Sequence, residues 1–451
     1  MTNILKIFSV ILLLVCISTP FVKAQSNFIR DSLIKEANIF FQIGDSLYLK
    51  SQLNSSNKYY LQSAEYYFQA KEWERYLRCL RYASFNYSKL RDAGNASKYA
   101  LKGIEIGKLN LGENHFALGG LYNALGFSYK IQGKFEKSFE SYQSALQILS
   151  KYKSGNDLVG TYNNLATLYR QTGRYEEGLQ ILLICKKAAI SSMEKDDPNF
   201  STLYNNLGLF YHYLTDYDKA LEYYQQSLQI WAKHYGKNNP QLASVYSNIG
   251  NTFLHLKEYE KALINHQKAL EMRKTNTDIV DPDITINYNS LGIIYKNLND
   301  LEKALENYME ALELKIKIYG EEHFQVGIAY VNLAMLHYRN NRWVNITNDQ
   351  VNQNIAYMNK AIEIFSSSSG KDDYIASAYV TLGGIYFLEN DYKKALSHYQ
   401  KSIECNINKE ITLTLFIADK RSLEFVRYKK EMLDAFQGIG ETLYQRFVST
   451  N

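Results

Sequence analysis

The sequence predicts an all-α fold, a solenoid built from antiparallel helix pairs, and three observations support this prediction. A short motif recurs along most of the chain at nearly constant spacing. Apolar residues lie three and four positions apart within each recurring unit, as on one face of a helix, and no alternating pattern typical of a strand stands out. Only 4 of the 451 residues are proline, so long helices are left uninterrupted.

The recurring motif is an aromatic residue, two further residues of which the second is often Asn, then Leu or Ile, then a small residue. Tyr204-Asn205-Asn206-Leu207-Gly208 is a clear copy. We call the small residue at the end of each copy the anchor. The anchors are Ser84, Gly126, Ala166, Gly208, Gly250, Gly292, Ala334 and Gly383, separated by 42, 40, 42, 42, 42, 42 and 49 residues. This spacing predicts one structural unit per copy.

Each unit contains a second predicted helix, which follows a turn such as Gly133 or Gly173. This helix carries a small residue early and another seven positions later, as at Ala220 and Ser227 or Ala262 and Ala269. Small residues at such positions let two helices approach closely, while larger neighbours fill the space between them. Each unit is therefore predicted to be a helix pair.

These features resemble the tetratricopeptide repeat (TPR), most closely over Tyr204 to Leu228. The unit of about 42 residues and linkers such as Tyr319-Gly320-Glu321-Glu322-His323 are similar to the kinesin-light-chain type of TPR. The resemblance covers roughly residues 77 to 405. It implies a right-handed superhelix whose first helices line a concave groove, and a role in binding proteins or peptides.

The predicted organisation has four parts. Residues 1–24 form a signal peptide, 25–76 are N-terminal helices, 77–405 are an array of about eight repeats, and 406–451 are a C-terminal capping region. Within residues 25–76, the segment Asp31 to Gln69 is expected to be a degenerate repeat that is out of register with the others. An insertion is expected near 344–353. After Cys405 we expect a loop and then an amphipathic helix around Lys420 to Phe447.

The first 24 residues have the features of an export signal. Lys6 precedes the apolar stretch Ile7 to Ile17, and Val22-Lys23-Ala24 offers small residues before a cut at Gln25. We therefore expect the protein in the periplasm or outside a Gram-negative cell. A lipid anchor at Cys16 is disfavoured because Val15 stands where a small residue is expected, and an uncleaved anchor is the other alternative. No later segment is apolar enough to span a bilayer.

Charge and motifs exclude several function classes. The formal charge is +5, or +3 once Lys6 and Lys23 are removed (5 − 2). This charge is too low to indicate nucleic-acid binding, for which a dense basic stripe would be expected. The sequence has neither a His-Glu-x-x-His motif nor a Gly-rich phosphate loop. We expect no metal, no cofactor and no catalysis. Cys79, Cys185 and Cys405 are expected to pack as small apolar residues.

The candidate binding residues follow from the resemblance, which places the first helix of each repeat on the groove. An amide both donates and accepts, so a row of Asn would hold the backbone of an extended peptide. The alternative is that these amides bond neighbouring helices. The row comprises Asn123, Asn163, Asn164, Asn205, Asn206, Asn248, Asn289 and Asn332.

A second row lies four or five residues after the anchors and comprises Lys130, Arg170, His212, Lys296 and Arg339. Cations here would favour an acidic peptide or a C-terminal carboxylate. The alternative is an ordinary solvated helix face.

The sequence favours a peptide- or protein-binding scaffold and leaves two alternatives. The repeats are similar to the TPR region of bacterial proteins that end in a CHAT protease domain, and Glu431 to Gly438 resembles the helix that follows the repeats there. In that case the chain would be a regulatory or substrate-capture piece. The other alternative is the sensor part of a signalling protein. The sequence gives no indication of oligomeric state.

Overall fold

The computed structural model describes residues 27–152, 155–192, 194, 197–236, 242–274, 282–339, 342–343, 347–367, 372–389, 391–416 and 437. The chain divides into two compact units, Met1–Asp216 and Tyr217–Asn451. Each unit is built from successive antiparallel helix pairs, and the all-α prediction is confirmed. The predicted signal peptide lies outside the described residues.

The first unit contains nine described helices. They are α1 (27–49), α2 (Leu53–Gln69), α3 (Trp73–Lys89), α4 (Ala93–Leu111), α5 (Phe116–Ile131), α6 (Phe135–Tyr152), α7 (Gly155–Gln171), α8 (Tyr175–Ser192) and α9 (Asn199–Tyr213). Each helix packs on the next in sequence, and the first helices of successive pairs, α3, α5, α7 and α9, also lie side by side. Their shared surface is called the first-helix face below.

The second unit continues the pattern. Its described elements are α10 (Tyr217–Tyr235), α11 (Leu242–His255), α12 (Tyr259–Lys274), α13 (Ile284–Asn297), α14 (Leu301–Tyr319), α15 (Phe324–Ala334), β1 (Tyr338–Arg339), β2 (Arg342–Trp343), α16 (Asn348–Ser366), α17 (Asp372–Leu388) and α18 (Tyr392–Phe416). The two short strands pair antiparallel, with Tyr338 opposite Trp343. The sequence did not predict them, because two residues are too few to show an alternating pattern.

Two boundaries differ from the prediction. Helix α16 begins at Asn348, inside the expected insertion 344–353, where Thr347 and Gln350 form a reciprocal capping box. Helix α18 continues to Phe416, so the loop expected after Cys405 is wrong. The helix expected around Lys420 to Phe447 lies outside the described residues except for Gln437.

Several glycine anchors lie against the ring of the residue sixteen positions later, which we call the anchor partner. A Cβ on Gly126 would lie 2.7 Å from the ring of Tyr142, and one on Gly292 would lie 2.5 Å from the ring of Tyr308. At such distances a side chain on the anchor would force the ring to move, so glycine packs best there. Where the anchor is Ala166, the anchor partner is the smaller, buried Leu182. Anchor and partner are thus matched in size.

The same pairing places the N-terminal helices in register with the array. Gly44 lies 40 residues before Ser84, and a Cβ on it would lie 2.8 Å from the ring of Tyr60. The Ser56 hydroxyl donates to the Gly44 carbonyl at 2.8 Å, as Ser138 does to Gly126 at 2.7 Å. The expectation of an off-register segment is therefore wrong. The motif was missed because it lacks both the Tyr and the Asn.

The cysteines of the first unit behave as small core residues. Cys79 and Cys185 are free and fully buried. Burial raises the pKa of both thiols to about 12, which suppresses the reactive thiolate. Their predicted packing role is confirmed.

Candidate functional site

Amide side chains of neighbouring first helices bond each other. Asn164 on α7 donates to the Asn123 carbonyl oxygen on α5 at 2.9 Å, and Asn206 on α9 donates to Asn163 at 2.9 Å. In each case the residue two before one anchor donates to the residue three before the previous anchor. We call each such pair a rung. The alternative expected for the Asn row, that its amides bond neighbouring helices, is therefore correct for these four residues.

Three of the predicted Asn residues line a pocket of about 490 Å³ in the first unit. We call it the amide pocket. Side chains from α3, α5, α7 and α9 line it: Arg81, Tyr82, Phe85, Asn123, Asn156, Asp157, Val159, Gly160, Asn163, Asn164, Asn199 and Thr202. Its wall is therefore rich in groups that both donate and accept, with two aromatic rings on one side.

An ion pair crosses the amide pocket. The Arg81 Nη1 atom lies 2.8 Å from the Asp157 Oδ2 atom and joins α3 to α7. The guanidinium extends over Gly120 of α5, where a Cβ would lie 2.5 Å from Nη1. Burial favours the neutral guanidine, but Asp157 and Tyr82 outweigh this effect and raise the pKa of Arg81 above its ordinary value. Arg81 is a fixed positive charge.

Two of the predicted cations lie on the same face. Lys130 is half-buried on α5, with its ammonium 4.6 Å from the centre of the Phe127 ring. Burial, with a smaller effect from Arg170 on α7, lowers the pKa of Lys130 to about 8. The positive charge of Arg170 affects the pKa of Lys130 because the two side chains lie close together. An anion is therefore favoured near this pair of cations.

The remaining predicted residues are distributed differently. His212 on α9 contacts the Tyr213 ring, edge to face. Lys296 on α13 donates to the Met335 carbonyl at 3.4 Å, and burial lowers its pKa. Arg339 lies in β1. In the second unit, Asn332 on α15 forms a rung with Asn289 on α13, and Asn248 is half-buried on α11.

The sequence analysis did not identify Arg81 and Asp157 as residues of the pocket. For Arg81, however, its position in the repeat is a usable signal. Arg81 stands three residues before the anchor Ser84, the position that Asn123 and Asn163 occupy before their anchors. The next repeat has Ala124 where the donating Asn of a rung would be. Arg81 has no acceptor atom and Ala124 has no side-chain donor, so no rung forms between these positions, and Arg81 donates to Asp157 instead.

Within the described ranges, no helix combines the length and apolarity that a membrane span requires. In the same part of the chain, no group of three or more His, Cys, Asp or Glu side chains is arranged to hold a metal ion.

The family model for the tetratricopeptide repeat matches residues 110–183, 199–275, 283–344 and 350–407, together more than half of the chain. This match confirms the repeat type predicted from the sequence. A search of curated proteins finds no match.

Solved structures share the fold at low identity. The apo form of RapI aligns with a TM-score of 0.55 at 15% identity, covering 83% of this chain and 99% of RapI. The apo form of the quorum sensor NprR from B. thuringiensis has a TM-score of 0.52 at 16% identity, covering 76% and 99%. A Signal Transduction ATPase with Numerous Domains that has a tetratricopeptide repeat sensor, PH0952 from Pyrococcus horikoshii, has a TM-score of 0.52 at 18% identity, covering 81% and 54%.

Proposed function

Because the chain belongs to the tetratricopeptide-repeat family, we propose that it is a non-catalytic scaffold that binds an extended, acidic protein segment on the first-helix face. The amide pocket is the observation that carries this proposal. Pockets that combine several amides with a few apolar side chains suit a peptide, whose backbone presents both N–H and C=O groups.

Rungs and ligand binding are compatible. A side-chain amide has two N–H groups and a carbonyl oxygen with two lone pairs. The bond from Asn164 to Asn123 uses one N–H of the first and one lone pair of the second. The rung therefore holds the amides in a fixed orientation and leaves hydrogen-bonding capacity for a peptide backbone. Fixed donors lower the entropy cost of binding.

The preference for acidic segments is proposed from charge. Lys130 and Arg170 lie near each other on the first-helix face, and bringing an anion close to both would relieve their repulsion. An acidic partner would thus be held by its backbone on the Asn row and by its side chains on these cations.

Export belongs to the same proposal and rests on the leader features from Lys6 to Gln25. The compartment would be the periplasm or the cell exterior. Fractionation of the native cell, followed by mass spectrometry of the protein's N-terminus, tests it. We expect a chain that begins at Gln25 outside the cytoplasm, and an intact leader on cytoplasmic protein would contradict the proposal.

Site-directed cross-linking tests the binding face. A photo-reactive amino acid at Thr202, in the amide pocket, is compared with one at Leu109, which is 81% exposed on α4 outside the pocket. We expect a cross-linked partner at Thr202 but not at Leu109, and the cross-linked segment should bind again as a synthetic peptide. Equal cross-linking at both positions would contradict a role for the pocket.

Matched variants then test the amides. Asn164→Ala removes a rung that lines the pocket, and Asn332→Ala removes a rung of the second unit. We expect only Asn164→Ala to weaken binding of the identified peptide. A similar loss of binding in both variants would mean that removing a rung weakens binding only by destabilising the fold.

A second candidate is the sensor part of a signalling protein. By their descriptions, two of the similar structures are sensors or contain one. A sensor would change its partner, or release it, when a small ligand or peptide binds, whereas a scaffold would hold the partner continuously. Repeating the Thr202 cross-linking with and without added ligand distinguishes the two.

A third candidate is a regulatory or substrate-capture piece of a CHAT-type protease system. It rests on the stretch Glu431 to Gly438, which lies outside the described residues apart from Gln437. Reading the DNA downstream tests it: an open frame that encodes a His/Cys pair would favour this candidate.

A further inference from the structure

Helix α8 of the first unit exposes apolar side chains on one side while its other side packs in the core. Leu183, Ile184 and Ile190 are 39%, 52% and 60% exposed. On the opposite side, Leu182 and Cys185 are fully buried. The helix is therefore apolar on both sides, whereas a surface helix normally has a polar outer face.

The repeat does not require apolar residues at these exposed positions. Leu183 and Ile184 lie seventeen and eighteen residues after the anchor Ala166. The corresponding residues of the second helices α6, α10 and α12 are all polar: Gln143, Ser144, Gln225, Gln226, Gln267 and Lys268. The exposed apolar pair is thus a property of α8 and not of the fold, and exposed apolar surface of this kind marks a contact with another molecule.

Two charged side chains flank this apolar pair on the same side of the helix. Glu176 and Lys187 are eleven residues apart, so they differ by only about 20° around the helix axis and lie about 17 Å apart along it. Both are exposed, and neither forms an ion pair with another described residue. Helices α6, α10 and α12 also have an acid at the position of Glu176, but at the position of Lys187 they have Gln147, Gln229 and Glu271.

The exposed side of α8 is complementary to itself in the reversed direction. We call it the α8 stripe, and it comprises Glu176, Gln180, Leu183, Ile184, Lys187 and Ile190. If two copies of α8 pack antiparallel about a two-fold axis, Glu176 of each copy lies opposite Lys187 of the other. The axis then passes between residues 181 and 182, so Leu183 and Ile184 of both copies lie within about 4 Å of it along the helix.

The charges select this antiparallel arrangement. In a parallel pair Glu176 would face Glu176 and Lys187 would face Lys187, and both contacts would be repulsive. The antiparallel pair has two attractive contacts, with the apolar side chains between them. The pattern therefore fits a second copy of the same helix.

We propose that the α8 stripe is a self-association surface, on which a second copy of this chain docks its own α8 antiparallel. This inference goes beyond the proposed function, because α8 is not one of the helices that form the first-helix face. The interface is small, so the dimer is weak and its formation depends on protein concentration. It would present two first-helix faces at once, and a partner with two binding segments would be held more tightly than by one.

Sedimentation velocity of the full chain without residues 1–24, measured over a range of protein concentrations, tests the proposal. Ile184→Asp places a charge at the centre of the stripe. Leu109→Asp is the matched control, since Leu109 is apolar and 81% exposed on α4. Glu176→Lys and Lys187→Glu are measured separately and as an equimolar mixture. Circular dichroism melting checks that each variant is folded.

Wild type should pass from monomer to dimer as its concentration rises. Ile184→Asp should weaken association by about 10- to 100-fold, because it brings two carboxylates into an apolar contact, and Leu109→Asp should not change it. Each charge variant alone should weaken association by about 10-fold, since it creates two like-charge contacts.

The mixture of the two charge variants is the most specific measurement. A Glu176→Lys chain has lysine at both positions, and a Lys187→Glu chain has glutamate at both. One chain of each kind therefore restores two attractive contacts, and the mixture should associate as strongly as wild type.

Three results would contradict the proposal in different ways. A wild-type chain that stays monomeric at every concentration would rule out self-association. Dimers of Ile184→Asp as strong as those of wild type would mean that the contact lies elsewhere on the molecule. A mixture that associates no better than the separate charge variants would rule out the antiparallel pairing. Should Ile184→Asp not fold, the charge variants and their mixture decide.

Discussion

Repeats in the two units use the same repeat position in different ways. In three repeats of the first unit, the residue three before the anchor lines the amide pocket, as Arg81, Asn123 and Asn163 do. In the second unit, the corresponding Ser247 is buried and accepts hydrogen bonds from Arg273 at 2.8 Å and from Asn287 at 2.9 Å. The repeat determines where a side chain lies, whereas the neighbouring helices determine whether it meets ligand or core.

The second unit thereby gains a buried polar cluster. Arg273 on α12 donates to Asn287 and Ser247 and lies 3.5 Å from Asp283. Asn287 also lies 3.2 Å from the Nδ1 atom of His266, the anchor partner of Gly250, where other repeats have Tyr. Polar groups that are fully buried contribute to stability only while each keeps its partners.

The largest expected effect follows from removing the charge at the centre of this cluster. Arg273→Met leaves Asn287, Ser247 and Asp283 without their donor, and we expect a loss of about 3 kcal/mol of stability. Urea unfolding followed by tryptophan fluorescence measures it. Lys274→Met is the control, because Lys274 is exposed on the same helix. Equal midpoints for the two variants would show that the cluster contributes little.

The next effect concerns pH. Burial, with a smaller effect from Arg273, lowers the pKa of His266 to about 4, below its ordinary value near 6.5. The unfolded chain therefore binds a proton more readily, and stability is lost as pH falls from about 6.5 towards 4. We expect a loss of roughly 2 kcal/mol between pH 7 and 5 from this residue.

His266→Tyr checks this prediction, since Tyr is the anchor partner in other repeats and does not titrate in this range. Urea midpoints at pH 7 and 5 should differ less in the variant than in wild type. The same pH dependence in both proteins would assign the effect to other groups.

A smaller effect is expected at an anchor. Gly292→Ala places a Cβ against the Tyr308 ring, and we expect a loss of roughly 1 to 2 kcal/mol from overpacking. Adding Tyr308→Leu should restore part of this, because Ala166 and Leu182 already form such a pair. Gly160→Ala is the control, since its Cβ would meet no atom within 4 Å and a helix favours Ala. Thermal melting of all four proteins tests the series.

The smallest expected effect is that of a single rung. Asn164→Ala and Asn332→Ala should each cost about 1 kcal/mol, the net value of one hydrogen bond. Melting temperatures of the two variants should therefore fall by similar amounts. A much larger fall in the melting temperature of either variant would mean that its Asn side chain makes more than one stabilising hydrogen bond.

The fold was largely predictable from sequence because its information is local and repeated. Apolar spacing within a helix and the anchor period are visible in any window of about 42 residues. The continuation of α18 to Phe416 was missed because no repeat follows to set its length. The register of Gly44 was missed because its motif keeps only Phe40, Ile43 and the glycine.

The candidate site was predictable only where it repeats. Asn123, Asn163 and Asn164 were found through their positions before the anchors. The contact of Arg81 with Asp157 joins residues 76 positions apart and occurs once, so no period reveals it. The same holds for Arg273 and His266, since their partners depend on which side chains three different helices place together.

The size match between anchor and anchor partner limits how such a chain can change by recombination. A crossover between two repeats that falls within the sixteen residues after the anchor would join, for example, Ala166 to the partner of a glycine, and the ring of Tyr308 would have no room. The reverse exchange would leave Gly292 facing Leu182 across a void. Duplications and deletions of repeats are therefore expected to have breakpoints outside this segment, so that each anchor is inherited together with its partner.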